Sequence, residues 1–195
     1  MNYTYNKHKN AASALENIKL SQNFLTDRRI LERILRRSTI TKADRVIEIG
    51  TGKGHLTSVL AEKCGYLYTI ELDRKLYEYT KQKLQDKKNI QFIYGDFLKY
   101  QLPRQGKYKV FANIPYNLTT EIVLKLSKTY QPPMEMWLVM EKGAAKRFMG
   151  KPCENKVSLE LKQKWNMEIV YYFKQDDFHP KPKVDSVLLH FKLKR

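Results

Sequence analysis

The feature that most constrains the fold is a short apolar run that stops at a cluster of glycines. Residues 45–49 read Arg-Val-Ile-Glu-Ile, and glycines follow at Gly50, Gly52 and Gly54. β-Branched residues in a short run favour a buried strand, and glycines spaced this closely interrupt it with a tight turn. Residues 55–63 then repeat apolar side chains at helical spacing. The segment therefore predicts a strand, a loop and a helix, as in the first part of a parallel β-α-β unit.

The same alternation recurs along the chain. Further strands are predicted at 66–71, 90–94, 108–112 and 136–140. Further helices are predicted at 119–128 and 143–149. Another is predicted to begin after Asp73, whose side chain can cap it. The last two strands, 165–173 and 184–193, are joined by a polar loop with prolines, which favours an antiparallel pair at one side of the sheet. The pattern predicts a doubly wound α/β sheet with one antiparallel strand.

Composition narrows the class of protein and its partners. The 195 residues are enough for one domain with a full core, and no apolar run approaches the roughly 20 residues that a spanning helix needs. Cys64 and Cys153 lie far apart in the sequence, and no histidine cluster accompanies them. We therefore expect no disulfide framework and no metal site, and we expect the protein to act in the reducing cytoplasm. The net charge of +17 exceeds what solubility requires and indicates a polyanionic partner, with nucleic acid the first candidate and no membrane partner expected.

Two acidic residues follow the next two predicted strands and complete a pattern for binding a nucleoside. Glu71 can accept hydrogen bonds from both hydroxyls of a ribose, and Asp96 can accept one from an adenine amino group. Gly50 and Gly52 let the backbone approach a ligand without an obstructing Cβ. The loop lacks the spacing of a dinucleotide fingerprint and the ending of a phosphate loop, so a nucleoside without phosphates is expected. The alternatives are a capping role for Glu71 and a turn role for Asp96.

Asn113-Ile114-Pro115-Tyr116 follows the fourth predicted strand and suits chemistry on the amino group of an adenine. The side-chain oxygen of Asn113 and a backbone carbonyl beside Pro115 can hold both amine hydrogens, which positions the nitrogen for attack on a methyl group. Pro115 stiffens the loop. Tyr116 offers an aromatic face to a base lifted from its stack. The alternative is a proline-containing turn with a packed tyrosine.

Five stretches together resemble a known family. They are Ser21-Gln-Asn-Phe-Leu25, Glu48-Ile-Gly-Thr-Gly-Lys-Gly-His55, Gly95-Asp96, Asn113-Ile-Pro-Tyr116 and Phe178-His-Pro-Lys-Pro-Lys-Val-Asp-Ser186. The sequence is similar to the erythromycin-resistance (Erm) methyltransferases, which dimethylate an adenine of 23S rRNA, and to their relatives, the KsgA-type small-subunit rRNA dimethyltransferases. The resemblance implies a Rossmann-like class I methyltransferase fold that depends on S-adenosylmethionine, with a mostly parallel seven-stranded sheet and one antiparallel strand.

The resemblance also implies roles for individual residues. With Gly52 of the glycine loop, the cofactor-binding set is Asn23, Leu25, Gly50, Glu71, Asp96 and Asn113. Tyr116 is assigned to stacking on the target base and Phe178 to the opposite face of that base, so that Asn113, Ile114, Pro115, Tyr116 and Phe178 form the catalytic group. Without the resemblance, Asn23 favours a helix cap and Phe178 a core residue.

The choice between the two branches of the family rests on a few positions. Ser21-Gln22, Asn113-Ile-Pro115 and the segment from Met140 to Arg147 resemble Erm, whereas KsgA-type proteins usually begin the first motif with Gly-Gln and have Leu in the catalytic loop. We therefore expect methylation of N6 of an adenine in 23S rRNA, with resistance to macrolide, lincosamide and streptogramin B antibiotics. The alternatives are a KsgA-type 16S rRNA enzyme, a non-catalytic nucleic-acid-binding factor on this scaffold, and methylation of a small molecule or a protein glutamine.

Basic residues near the predicted site suit the phosphates on either side of a flipped adenine. The expected RNA-binding residues are Lys142, Lys146, Arg147, Lys181 and Lys183. We expect residues 1–20 to form a flexible basic arm and residues 21–195 to form the catalytic domain. Family members continue past the final strand into a small helical domain, which is expected to be absent here because the sequence stops at Arg195. The protein is expected to be a monomer.

Replacing Lys146 and Arg147 with Ala should weaken RNA binding, because each side chain is predicted to contact a phosphate. The slope of log affinity against log salt should fall by about one unit for each lost contact. Filter binding to an RNA hairpin over a series of salt concentrations measures the slope. An unchanged slope would remove both residues from the interface.

Overall fold

Strands and helices alternate along residues 23–194, the part of the chain that the computed structural model describes. The strands are β1 (Phe24–Leu25), β2 (Arg45–Ile49), β3 (Tyr66–Glu71), β4 (Ile90–Tyr94), β5 (Lys109–Asn113), β6 (Glu135–Glu141), β7 (Trp165–Tyr172), β8 (Phe178–His179) and β9 (Ser186–Leu193). The helices are α1 (Arg28–Leu35), α2 (His55–Lys63), α3 (Arg74–Lys83), α4 (Thr119–Lys128), α5 (Lys142–Phe148) and α6 (Lys156–Lys164). Short 3₁₀ turns occupy Tyr116–Leu118 and Gln175–Asp177.

Seven of these strands form one sheet, in the order β4-β3-β2-β5-β6-β9-β7. The pairs from β4 to β6 are parallel, whereas β9 runs antiparallel to both β6 and β7. The order reverses between β2 and β5, which creates a crevice at the carboxyl ends of these strands. The predicted doubly wound sheet of seven strands with one antiparallel strand is confirmed.

Helices cover both faces of the sheet, which explains why its central strands carry apolar residues at nearly every position. On one face Phe111 and Trp137 pack in a cluster with residues of α1 and α2. On the other face Val110 and Leu138 pack in a second cluster with residues of α4 and α5. Adjacent strand residues point to opposite faces, so β5 and β6 contribute to both clusters.

A separate two-stranded ribbon lies outside the large sheet and was not predicted. β1 and β8 pair antiparallel, with Phe24 opposite His179 and Leu25 opposite Phe178. Leu25 and Phe178 are buried in the same apolar cluster. The two strands are more than 150 residues apart in sequence, so no local pattern indicates their pairing.

Most predicted elements occur where the sequence placed them, with shifts of one or two residues at their ends. Helix α3 begins after Asp73, whose side chain accepts hydrogen bonds from the amides of Lys75 and Leu76, as predicted. Helices α1 and α6 were missed. A usable signal preceded α1, because Asp27 caps it through the Arg29 amide and apolar residues follow at helical spacing. The cap there is Asp27 and not Asn23, so the capping interpretation of Asn23 is wrong.

Two predictions lie outside the described residues: the basic arm of residues 1–20 and the Ser21-Gln22 part of the first motif. Within residues 23–194 no helix is long and apolar enough to cross a membrane. The same part of the chain contains no group of three or more His, Cys, Asp or Glu side chains that could hold a metal ion.

A buried carboxyl group lies beneath the glycine loop. Glu48 in β2 is fully buried, and its Oε2 accepts a hydrogen bond of 2.7 Å from the Thr69 hydroxyl of β3. The Thr51 hydroxyl of the glycine loop lies 2.6 Å from the Thr69 hydroxyl and extends this hydrogen-bonded link. Burial, together with the charge of the nearby Glu71 carboxylate, raises the pKa of Glu48 to about 8, against the lowering effect of the threonine hydrogen bonds. A neutral side chain thus links β2, β3 and the loop at neutral pH.

Glu48→Gln should change the pH dependence of stability. Because the pKa of Glu48 lies near 8 in the folded protein against 4.5 for the ordinary group, the wild type should lose stability as the pH rises from 4.5 through about 8. The loss should reach a few kcal/mol, at about 1.4 kcal/mol per pKa unit. An amide does not ionise, so the Gln variant should lack this loss.

Urea unfolding followed by circular dichroism between pH about 6 and about 9 measures the effect. Glu78→Gln, on an exposed position of α3, is the matched control and should follow the wild type. Parallel curves for the wild type and Glu48→Gln would contradict a neutral buried acid.

Candidate functional site

Two adjoining cavities open at the carboxyl ends of β2, β3 and β5. The inner cavity has a volume of about 560 Å³ and the outer cavity about 530 Å³. Both are bounded by Gly50, Gly52, Asn113 and Pro115, so the glycine loop and the catalytic loop form their common wall. Together they offer space for a ligand with two chemically different ends.

The inner cavity combines apolar walls with two acids. Its apolar walls come from Ile49, Ile70, Leu72, Phe97, Leu98, Leu118 and Ile122. Among residues 23–194, Glu71 and Asp96 are the charged residues that line it, with no lysine or arginine. Such a lining suits a planar base and a sugar with hydroxyl donors, and it disfavours phosphate groups, which carry negative charge.

Glu71 is held by the backbone around it. Its Oε2 accepts a hydrogen bond from the Gly52 amide and its Oε1 accepts one from the Asp73 amide, each 2.8 Å long. Burial raises the pKa of Glu71 above the ordinary value, against the lowering effect of these amide donors. A carboxylate has about four lone-pair sites, so both oxygens retain capacity for further donors. Two ribose hydroxyls would use that capacity.

Asp96 combines the two interpretations that its sequence position left open. Its Oδ1 accepts a hydrogen bond of 2.8 Å from the Leu98 amide, as in a turn, and its backbone carbonyl accepts from Lys99 and Tyr100. The side chain nonetheless lines the inner cavity beside Phe97. The turn therefore orients the carboxylate rather than competing with a role in binding.

The glycine loop requires its glycines at two positions for different reasons. Gly50 has a φ of +78°, and a Cβ added there would point into open space in the site, with no atom within 4 Å. Gly52 has a φ of +55°, and its Cβ would lie 2.9 Å from the ring of Phe24. Gly50 thus leaves space for a ligand, whereas Gly52 lets β1 pack closely over the loop.

Asn113 is fixed by one hydrogen bond that determines the orientation of its amide. Its Nδ2 donates to the backbone carbonyl of Asn23 at 2.7 Å. A carbonyl only accepts hydrogen bonds, so the nitrogen must face Asn23 and the side-chain oxygen must lie on the other side. The side-chain oxygen stays an acceptor at the common wall of the two cavities.

The rest of the catalytic loop lines the outer cavity. Ile114, Pro115 and Tyr116 form part of its wall, opposite Asn23 and Leu25. The Tyr116 hydroxyl lies 2.6 Å from the Ser186 hydroxyl, which holds the ring from β9. Burial raises the pKa of Tyr116 to about 12, so its hydroxyl stays protonated.

The structure brings together ten of the eleven predicted cofactor and catalytic residues, and Phe178 is the exception. Its side chain is 3% exposed, packs on Phe173 with ring centroids 5.3 Å apart, and lines neither cavity. This is the core position that its sequence favours without the resemblance. Its assignment to the face of a target base stays a prediction, and it requires the ring to turn out of the cluster that also contains Leu25.

Residues that were not singled out from the sequence also line the outer cavity. They include Phe24, Lys53 and His55. The Lys53 ammonium lies 5.2 Å from the centre of the Phe24 ring, and burial followed by the charges of Lys83 and Lys53 lowers the pKa of His55. All three lie within the motifs quoted above. Their place in the sequence, next to predicted site residues, could have indicated that they line the site.

The predicted RNA-binding cations differ in what they contact. Lys142 pairs with Asp185 at 3.0 Å, and Lys181 pairs with Asp176. No carboxylate of residues 23–194 forms an ion pair with Lys146, Arg147 or Lys183, all of which are exposed. The free cations are the stronger candidates for phosphate contacts, because an existing pair must be broken to bind another anion.

The site fits S-adenosylmethionine. The inner cavity suits its nucleoside. The open space at Gly50 leaves room for the rest of the ligand to extend into the outer cavity. The part of the chain that the structure describes gives the inner cavity two acids and no lysine or arginine, which suits a molecule with a positive sulfonium and no phosphate. The fold and the site define a class I methyltransferase that depends on S-adenosylmethionine.

Comparison with known proteins places the chain more narrowly. The sequence profile of the ribosomal RNA adenine dimethylase family matches residues 14–195, and the chain belongs to this family. It is 39% identical over 177 residues to an rRNA adenine N-6-methyltransferase from Limosilactobacillus reuteri, covering 91% of this chain and 71% of that protein. A second rRNA adenine N-6-methyltransferase, from Lysinibacillus sphaericus, is 38% identical over 178 residues, covering 91% of this chain and 72% of its own length.

Solved structures of two related enzymes share the fold. The 23S rRNA methyltransferase ErmE superposes with a TM-score of 0.80 at 26% identity, covering 88% of this chain and 70% of that one. A dimethyladenosine transferase from Plasmodium falciparum superposes with a TM-score of 0.79 at 27% identity, covering 88% of this chain and 63% of that one.

Gly50→Ala should weaken the binding of S-adenosylmethionine by about tenfold or more, because the added methyl group occupies the ligand's space and strains a left-handed backbone. Isothermal titration calorimetry measures the affinity. Gly106→Ala is the control for strain, since Gly106 has a similar φ of +77° in the loop before β5 and its added Cβ would displace only the flexible end of the Arg45 side chain. Equal binding by both variants would exclude the loop as the cofactor site.

Proposed function

We propose that this protein transfers a methyl group from S-adenosylmethionine to N6 of an adenine in 23S rRNA. The observation that carries the proposal is the orientation of the Asn113 amide, whose nitrogen is held by the Asn23 carbonyl while the residue lines both cavities. A fixed acceptor at that place suits an exocyclic amine that must be held beside a methyl donor. Membership of the ribosomal RNA adenine dimethylase family supports adenine as the base.

The chain's own residues would supply position and hydrogen-bond acceptors. The Asn113 oxygen accepts one hydrogen of the amine, and the Ile114 carbonyl, which precedes Pro115, accepts the other. Both acceptors favour electron density on nitrogen, whose lone pair is otherwise delocalised into the ring. S-adenosylmethionine supplies an electrophilic methyl group when bound. The methylated amine is acidic enough to lose its proton to water, so no strong base is required.

Tyr116 would hold the plane of the target base. Its hydroxyl bond to Ser186 fixes the ring at the wall of the outer cavity. A base taken out of its stack needs a replacement surface, and an aromatic face provides about 1–3 kcal/mol per base. Phe178 is the proposed second face, once its ring leaves the cluster.

The choice of 23S rRNA as the target is supported by sequence features that resemble the Erm branch, namely Ser21-Gln22, Asn113-Ile-Pro115 and the segment from Met140 to Arg147. The structural likeness to ErmE is in line with this, although the dimethyladenosine transferase matches equally well in fold. A small-subunit rRNA target is therefore the second candidate. Methylation of 23S rRNA would give resistance to macrolide, lincosamide and streptogramin B antibiotics, by a monomer that acts in the cytoplasm.

Methylation of total bacterial rRNA with labelled cofactor, followed by mapping of the modified nucleotide, tests the proposal. We expect label in one adenine of 23S rRNA and, at a cofactor concentration below saturation, about tenfold less label with the Gly50→Ala variant. Label confined to 16S rRNA would establish the second candidate. Cofactor binding without any label in rRNA would overturn the proposed function.

Tyr116→Ala should slow methyl transfer by about 10- to 100-fold, the range that follows from losing one stacked base. Tyr116→Phe keeps the aromatic face and should retain most of the activity. Ser186→Ala tests the hydroxyl contact from the other side and should resemble Tyr116→Phe. Single-turnover assays at saturating cofactor measure the rates, and equal losses in Tyr116→Ala and Tyr116→Phe would contradict stacking.

A further inference from the structure

Helix α1 has one face in the core and an opposite face of arginines. Leu31, Ile34 and Leu35 are buried against the sheet. Arg29, Arg33 and Arg36 follow one another at spacings of four and three residues, so they lie on one exposed face of the helix, with Arg37 beside them. A helix this short needs only its apolar face for folding, so the folding of α1 does not explain the cluster of arginines.

The arginine face borders a groove that is separate from the inner and outer cavities. The groove has a volume of about 700 Å³ and lies between α1 and the end of β7. It is lined by Asp27, Arg29, Ile30, Arg33, Tyr171, Tyr172, Lys174 and Asp177. Tyr172 is 62% exposed, so most of its ring is accessible to a partner. We call this site the arginine groove.

The acids of the arginine groove are already engaged. Asp27 accepts hydrogen bonds from the Arg29 guanidinium and caps α1, and Asp177 accepts one from the Lys174 amide. Arg33 donates a long hydrogen bond of 3.4 Å to the Tyr171 hydroxyl. No carboxylate of residues 23–194 forms an ion pair with Arg33 or Lys174. Among the described residues, the groove lining has three cations against two acids, so a net positive charge lies beside the exposed ring of Tyr172.

The position of the arginine groove connects it to the candidate active site. Asp27 follows β1 by two residues and Asp177 directly precedes β8, so the β1–β8 ribbon separates the groove from the outer cavity. A nucleic-acid strand that leaves the outer cavity across this ribbon would pass directly onto α1. From Arg29 to Arg36 the helix rises about 10 Å, enough for two or three phosphates of a nucleic-acid strand.

We propose that the arginine groove binds the RNA strand next to the target adenine, with Arg33 and Lys174 on phosphates and Tyr172 stacked on a base. Unpaired cations with an exposed aromatic ring are the combination that recognises single-stranded nucleic acid. The proposal rests on the proposed function, because the groove is useful only if the outer cavity accepts a base from RNA. It extends the RNA surface to the face of the sheet that α1 covers, opposite the face covered by α5, which carries Lys146 and Arg147.

The test compares two double variants with the same change in charge. Arg33→Ala with Lys174→Ala removes one cation from each wall of the groove. Arg104→Ala with Lys107→Ala removes one arginine and one lysine from the exposed loop before β5. This loop lies at the amino end of that strand, away from the cavities at its carboxyl end. Each is measured for S-adenosylmethionine binding by calorimetry and for binding of an RNA hairpin with an adenine-containing loop across a series of salt concentrations.

We expect the groove variant to bind the hairpin about tenfold more weakly, with a salt slope smaller by about 1.5, and to bind the cofactor with unchanged affinity. The loop variant should keep the wild-type slope. Equal effects of both variants would show a general effect of net charge and overturn the proposal, as would a wild-type slope in the groove variant. A 5-iodouridine placed next to the target adenine should also crosslink to Tyr172, and a crosslink confined to other segments would overturn the stacking.

The outcomes separate this proposal from the proposed function. If the wild type methylates rRNA and the groove variant binds RNA normally, the groove is not an RNA surface and the proposed function stands. If the wild type binds cofactor but neither binds nor methylates rRNA, both proposals fail.

Discussion

Parallel pairing of β2 with β3 and β5 is the constraint on which the site depends. The carboxyl ends of these strands meet at one edge, and the order of the sheet reverses there. The glycine loop, Glu71 and Asn113 follow three different strands and are far apart in sequence, yet they bound the same two cavities. The hydrogen-bonded link from Glu48 through Thr69 to Thr51 holds the loop at this edge from below.

A second constraint joins segments from the two ends of the described chain. A ribbon of two residues per strand cannot be stable by itself, so its pairing depends on the burial of Leu25 and Phe178 in a shared cluster. The Asn113 amide adds a bond from the catalytic loop to Asn23, just before β1. The wall of the outer cavity that includes Leu25 is therefore stabilised by the packing of Phe178. The ribbon also lies between that cavity and the arginine groove.

Charge is divided between the inside and the outside of the site. The described residues that line the inner cavity include two acids and no lysine or arginine, although the chain carries a net charge of +17. The cations lie on exposed surfaces, among them Lys146, Arg147 and the arginine groove. This division lets an uncharged nucleoside with a positive sulfonium occupy a partly acidic cavity, while the surrounding surface attracts phosphates.

The sequence by itself determined the sheet, the glycine loop, the position of Asn113 and the two acids, because each depends on local patterns of apolar residues, glycines and strand ends. It also indicated family membership, which the profile and the relatives confirm. Its local signal for α1 was overlooked, although Asp27 and the apolar spacing were readable. Only the tertiary structure decided that Phe178 is buried, that β1 pairs with β8, that Asn113 is oriented by Asn23, and that arginines of α1 face tyrosines of β7. Each of these depends on contacts between segments distant in the chain, and such contacts leave no periodic trace in either segment alone.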